Sequence, residues 1–402
     1  MKAFSFRRSF SPRSAVLLLI LGLLSVAGCS KDQPLPAMLN GAEQPERYLP
    51  LLGEQRVGLV VNQTSQVGQQ HLVDFLRAEG VEIARIFALE HGIRGDVENG
   101  GKVADGVDGP TGLPIVSLYG GQYAPSRESV ADLDWLLFDI QDVGVRFYTY
   151  ISSLHYLMQA CADFDVPLMV LDRPNPNGDY IDGPVLEAEF RSFIGMHPIP
   201  LVHGMTVGEL AQMINGEGWL DGGAHCDLTV MPVANYRKSD AYSLPVKPSP
   251  NLPNDLSIRL YPSLGLFEGT TVSIGRGTAF PFQVVGHPAD SDGKFQFTPQ
   301  PIAGASENPK HRGTLVTGDD LRTKDARPRF SLQPLLDWGT RTGEPLEEFF
   351  SRAGFFDKLA GTDKLRKAIL AGQGEEQIRH SWSERHQQFR EQRKPYLLYP
   401  EN

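Results

Sequence analysis

The sequence predicts an α/β fold: a Rossmann-like, mostly parallel sheet joined to a second, smaller α/β subdomain. Three observations predict it. Nearly continuous apolar runs at 57–61, 83–89, 115–118, 135–140, 168–171 and 228–233 alternate with helical patterns at 71–79, 126–133, 151–164 and 206–219. Strands that are apolar on both faces belong in a parallel sheet covered by helices on each side. Dense polar clusters follow several of these runs directly, at the carboxyl edge where open α/β sheets bind ligands. After about residue 240 the pattern changes, and the proline-punctuated segment 247–254 cannot be helix interior.

From the front, residues 1–28 carry Lys2, Arg7, Arg8 and Arg13, no acid, and an apolar run at 15–24. That is the layout of a secretory signal, too short for a permanent membrane span. It ends Ala27-Gly28-Cys29, which resembles a bacterial lipobox with Cys29 as the lipid attachment point; a plain signal with a coincidental cysteine is the alternative. Ser30 after it resembles lipoproteins sent to the outer membrane, so a periplasm-facing envelope lipoprotein is expected. Residues 29–50 are polar and proline-containing and read as a tether. Residues 51–245 then form the Rossmann-like domain and 246–402 the smaller auxiliary domain. In the first, Thr206 to Glu209 has the spacing of a capping box opening a helix. In the second, strands are expected at 295–297 and 315–317, and helices at 332–338, 345–353 and 363–370.

The chain has 402 residues, 41% hydrophobic and 21% charged, with three cysteines. This is ordinary globular composition and excludes a disordered or disulfide-knotted chain. A formal charge of −10 without a dense basic run argues against a nucleic-acid partner. Beyond the anchor only Cys161 and Cys226 remain, either paired or buried as small apolar residues; burial is expected. No dinucleotide glycine fingerprint, phosphate loop, nucleophile elbow or zinc-binding His-Glu-x-x-His occurs. No cofactor and no metal are therefore expected.

Carboxylates are left to carry chemistry. Glu90 sits at a strand end beside His91, with Gly92 and Gly95 letting the loop turn after it and Arg94 nearby as a possible salt-bridge partner instead. Asp139 and Asp142 flank a glutamine at another strand end, and only one of them is expected to face the cleft. Asp142 lies deeper in the loop, whereas Asp139 can simply fix its own turn. A carboxyl with a raised pKa beside an ionised one is the arrangement that cleaves glycosidic bonds. Glu90 and Asp142 are therefore the catalytic candidates. Arg146 and Tyr148 share a face with Tyr150, which is the better candidate for aromatic core. Arg173, Asn175 and Asn177 form a proline-stiffened loop suited to hydrogen bonding a sugar, or a bare turn. His203 precedes a helix start and either meets a ligand or caps the turn. Glu268 and Arg276 either pair with each other or meet the ligand from the second subdomain.

The strings Val61-Asn-Gln-Thr-Ser65, Leu89-Glu-His-Gly92, Phe138-Asp-Ile-Gln-Asp-Val-Gly-Val-Arg-Phe-Tyr-Thr-Tyr150 and Leu171-Asp-Arg-Pro-Asn-Pro-Asn-Gly178 resemble the exo-β-N-acetylmuramidases, formerly a family of unknown function. So do His203-Gly-Met-Thr206, Pro248-Ser-Pro-Asn251, Phe267-Glu-Gly-Thr270, Gly275-Arg-Gly-Thr278 and Tyr396-Leu-Leu-Tyr399. The resemblance covers about residues 50–400. It implies release of terminal N-acetylmuramic acid from the non-reducing end of peptidoglycan fragments, in a cleft between the two domains. It implies that Glu90 is catalytic and brings Asn251 into the site. His287-Pro288 departs from the family's expected Ala-Pro-Trp and removes an aromatic ring there. An arginine among Arg94, Arg146 and Arg173 is expected to hold the lactyl carboxylate of muramic acid. A non-catalytic muropeptide-binding lipoprotein and a periplasmic esterase or amidase are the alternatives; the latter needs an activated Ser or Cys that the sequence does not reveal.

Overall fold

The computed structural model describes residues 1–5, 37–90, 92–93, 105–322 and 327–402. Cys29, His91 and Arg94 lie outside the described residues. Among those described, a seven-stranded sheet contains β1 (Arg56–Val61), β2 (Glu82–Ala88), β3 (Gly106–Val107), β4 (Pro114–Ser117), β5 (Trp135–Asp139), β6 (Leu168–Leu171) and, after a hairpin of β7 (Asp182–Val185) and β8 (Pro200–Val202), β9 (Leu228–Met231). Its order is β9-β6-β5-β1-β2-β4-β3, parallel throughout except for the antiparallel edge strand β3. This is the expected α/β architecture.

Alternation along the strands divides the core in two. Val60, opposite Phe87 and Phe138, points to one face, while Leu59, Val61, Ile86, Ala88 and Leu137 point to the other. The second face is covered by α1 (Pro45–Leu52) and α2 (Leu72–Ala78). The first is covered by α4 (Tyr150–Phe164) and α5 (Val207–Gly216), with the short α3 (Arg127–Val130) at one side. Both faces being buried explains why these strands read as solid apolar runs. Cys161 and Cys226 are buried free thiols within the first core.

That core continues without a break into the C-terminal region through Ile258, Phe267, Phe282, Trp338, Phe356 and Trp382. Here α6 (Asp255–Leu264) leads to the antiparallel sheet of β10 (Val284–His287), β11 (Phe295–Phe297) and β12 (Val316–Asp320), with β12 central. Six helices follow: α7 (Gln333–Arg341), α8 (Leu346–Phe349), α9 (Ala353–Ala360), α10 (Lys364–Leu370), α11 (Glu375–His380) and α12 (Ser383–Arg393). The single helix expected at 345–353 is replaced by α8 and α9, separated by a turn. Residues 38–50 also differ from expectation. Instead of a tether they fold onto the sheet edge: Leu39 bridges Ala234, the Gly41 amide donates to the Asp172 carbonyl, and Tyr48 is fully buried. Tyr48 supplies enough apolar area to hold this otherwise polar segment. Among the described residues no helix is long and apolar enough to cross a membrane.

In the sheet order, β1 leaves toward β2 on one side and meets β5 on the other. This reversal is the switch point where loops after β1, β2 and β5 splay apart and leave a crevice.

Candidate active site

Glu90 follows β2 immediately and is 6% exposed. Its Oε1 accepts a hydrogen bond from Tyr119 Oη at 2.9 Å and its Oε2 one from Thr149 Oγ1 at 2.6 Å. Thr149 occupies the N-cap of α4, yet its hydroxyl does not cap the helix and serves the carboxylate instead. The Glu90 carbonyl accepts from Tyr150 Oη at 3.0 Å, while that hydroxyl accepts from Asn62 Nδ2. Burial raises the Tyr150 pKa, so the phenol remains a donor. Loops from the ends of β1, β2 and β4 and the start of α4 therefore fix one carboxylate by both oxygens and its backbone.

Glu90 lines a cleft of about 280 Å³. Tyr148, Thr149, Asn251, Tyr261, Glu268, Arg276, Phe282 and Phe355 line it as well, and Tyr119 with Phe193 flank the Glu90 side. This is near the lower end of small-ligand sites, and its lining combines aromatic rings with charged, amide and hydroxyl groups. Tyr148 donates to the Pro248 carbonyl at 2.8 Å and so ties the β5 loop to segment 247–254. Asn251 Nδ2 donates to Ala305 O at 2.7 Å. Glu268 and Arg276 do both things expected of them: they pair (Nε to Oε1, 2.5 Å) and they line the cleft. Arg276 is presented between Gly275 and Gly277, both with positive φ (81° and 79°), a backbone that other residues rarely adopt. Burial pushes the Glu268 carboxyl up, but Arg276 and Lys310 more than offset this and hold it below the ordinary carboxylate range.

The remaining candidates form the frame around this cleft, not its lining. Arg146 is fully buried and donates to four carbonyls, of Pro184, Ile199, Leu359 and Ala360, at 2.7–3.0 Å. It thereby satisfies the last carbonyls of α9 and staples that helix to the β7–β8 hairpin. Its two terminal nitrogens are occupied by these carbonyls and the side chain is buried outside the cleft lining, which corrects its expected ligand role. Val145 makes an isolated bridge to Val202, and residues 146–149 are turn and bend, not a strand, so the strand alternation that would put Arg146 and Tyr148 on one face is absent. Arg173 and Asp139 form a bidentate ion pair that is almost wholly buried, so neither reaches the cleft. Asn175 donates to Met205 O and accepts from the Asn177 amide; Asn177 donates to Val143 O and accepts from Arg259. Both asparagines hold loops together.

Asp142 is buried outside the cleft lining, with one oxygen accepting from the Gly144 amide at 2.6 Å and the other without a partner among the described residues. Burial raises its pKa to about 7, against a smaller opposing pull from the Gly144 and Val143 amides. The His203 imidazole lies close to it, with Nε2 at 3.9 Å from Oδ2. The Met205 amide donates to His203 Nδ1, which places the imidazole proton on Nε2. Burial, then Lys238 and Arg393, lower the His203 pKa to about 3, so the ring is neutral at physiological pH. His287 lies 3.6 Å from Glu344 and packs edge-on against His311, away from the lining.

The sequence reading missed Tyr119, Thr149, Phe193, Tyr261 and Arg352. Thr149 and Tyr119 carried a usable signal, since both stand just past predicted strand ends. Phe193 comes from a loop without periodicity, and Arg352 fell inside the helix expected at 345–353, which gave no sign of a site.

The N-terminal family model of exo-β-N-acetylmuramidase NamZ matches residues 57–256, and the C-terminal one matches residues 259–399. The curated peptidoglycan β-N-acetylmuramidase NamZ of Bacillus subtilis is 39% identical, over 95% of this chain and 97% of the relative. A crystal structure of a DUF1343 family protein from Bacteroides fragilis superposes with a TM-score of 0.84 at 44% identity, covering 91% of this chain and all of the other. A second from the same organism gives 0.77 at 28% identity, covering 90% of this chain and all of the other. The resemblance read from the motifs is thus borne out over nearly the whole length, and the chain belongs to the exo-β-N-acetylmuramidase NamZ family.

Proposed function

We propose that the protein is an exo-acting β-N-acetylmuramidase that removes terminal N-acetylmuramic acid from the non-reducing end of peptidoglycan fragments. The observation that carries this, beside family membership, is a carboxylate clamped by Tyr119 and Thr149 in the wall of a small cleft lined by aromatic and charged side chains. In this reading Glu90 gives its proton to the glycosidic oxygen as the C1–O bond breaks. Water then delivers hydroxide to C1 and its remaining proton returns to Glu90. Glu268, kept ionised by Arg276 and Lys310, supplies the negative charge that stabilises the oxocarbenium-like transition state. Asp142 is a poorer second carboxylate because it is buried and does not line the cleft.

The assay is hydrolysis of a MurNAc-GlcNAc disaccharide and of a nitrophenyl β-muramide by wild type and Glu90→Gln. The variant is expected to lose roughly 10²–10⁴-fold on the disaccharide. Its loss on the nitrophenyl substrate is expected to be much smaller, because nitrophenolate leaves without a proton. Equal turnover of the disaccharide by both proteins removes Glu90 as the acid. We also propose that Cys29 is lipidated and anchors the enzyme in the cell envelope, a reading supported by the lipobox-like sequence; globomycin-sensitive labelling with a radioactive fatty acid tests it.

A further inference from the structure

The charged groups of the cleft do not all balance. Glu268 is paired with Arg276, and Lys310 behind them gives its ammonium to the carbonyls of Phe267, Thr270 and Val272. Glu90 is held by Tyr119 and Thr149. Arg352 also lines the cleft and is solvent-exposed, but its guanidinium makes no hydrogen bond or ion pair among the described residues. Its contact is a cation–π stack at 4.3 Å on Phe355, itself a lining residue. The backbone of Arg352 is fixed on both sides: its amide donates to Gly269 O at 3.0 Å, and its carbonyl accepts from the Phe355 and Phe356 amides at the start of α9. An arginine anchored by its backbone, flattened on an aromatic ring and left with its donor edge unused is built to receive a planar anion bidentately.

We propose that Arg352 is the specificity-determining residue of the cleft, receiving the lactyl carboxylate of the terminal sugar. This rests on the muramidase reading above and takes the role expected of Arg146 and Arg173, both of which are consumed internally. The carboxylate is the charge that muramic acid has and N-acetylglucosamine lacks. Arg352 therefore separates the two sugars, with Leu252, Ile194 and Phe355 supplying the apolar wall for the lactyl and acetyl methyl groups.

The test is calorimetric binding of N-acetylmuramic acid and of its lactyl carboxamide to the full chain, as wild type, Arg352→Met and Arg352→Lys. A hydrogen-bonded charge pair formed on binding corresponds to roughly tenfold or more in affinity. Wild type is expected to prefer the acid by about that factor, Arg352→Met to bind both ligands alike, and Arg352→Lys to fall between. The side chain is exposed, so the melting temperatures should be unchanged. Turnover should show the loss in KM more than in kcat, because the carboxylate is remote from the scissile bond. An Arg352→Met protein that keeps the acid preference, or a wild type without one, overturns the proposal. Absence of muramide hydrolysis with the binding preference intact instead overturns the enzymatic reading alone.

Discussion

Replacing Asp142 by Asn tests whether this residue belongs to the chemistry or to the frame. Burial has pushed its pKa up to about 7, and among the described residues no cation pairs with it, because His203, 3.9 Å away, is neutral. Between about pH 4 and 7 the unfolded chain has released this proton while the native chain retains it. Stability therefore falls as pH rises through that window and levels off above it. The gap between an ordinary Asp and one titrating near 7 corresponds to about 4 kcal/mol at the alkaline end. Asn keeps an oxygen for the Gly144 amide and never ionises. Denaturant melts at pH 4.5 and pH 8 should thus show Asp142→Asn gaining on wild type by roughly 2–4 kcal/mol between the two conditions, a discount on the full figure for local relaxation. Muramide turnover should persist. A variant that tracks wild type at both pH values, or that loses turnover as completely as Glu90→Gln, refutes this reasoning and returns Asp142 to the catalytic machinery.

Other outcomes follow from the frame. Arg173→Met leaves Asp139 charged, buried and alone, and should reduce stability by about 3–5 kcal/mol in urea melts, with Arg173→Met/Asp139→Asn recovering much of it. If the single and double variants are equally unstable, the pair is not the source of the loss. Gly144 has φ 75°, and a Cβ there would land on the Asn175 side-chain amide, so Gly144→Ala should impair folding visibly in expression yield and melting temperature. Normal stability would mean that the loop has room the structure does not show. Thr149→Val removes one of the two hydroxyls that orient Glu90 and should lower kcat several-fold with little change in melting temperature. An unchanged kcat would mean that Tyr119 suffices.

The sheet was legible because burial on both faces writes β1, β2, β5 and β6 as solid apolar runs, and α4 and α5 as stripes between them. What escaped lacked that signature. The β7–β8 hairpin contains Gly183 and Pro184 and shows no alternation, and α12 is polar almost all round although its Arg393 docks on the Gly204 carbonyl. Glu90 was legible as a cleft residue because it directly follows an apolar run and opens a loop with two glycines, although Asp139 at another strand end turned out to be a buried ion-pair partner. Arg146 and Arg173 were misplaced because a guanidinium at a strand end serves a buried carbonyl set or a buried carboxylate as well as it serves a ligand. Residue type fixes the charge but not which of these partners is present. Arg352 lies more than two hundred and fifty residues beyond Glu90 in a turn between short helices, and only the folded chain brings them to one cleft.

The central claim is exo-cleavage at a terminal muramic acid, and product identity tests it most directly. Oligomeric glycan strands with muramic acid at the non-reducing end, incubated with the full chain, should yield free N-acetylmuramic acid as the first product, and strands capped there by N-acetylglucosamine should stay intact. Release of internal fragments, or equal cleavage of both strands, would contradict it.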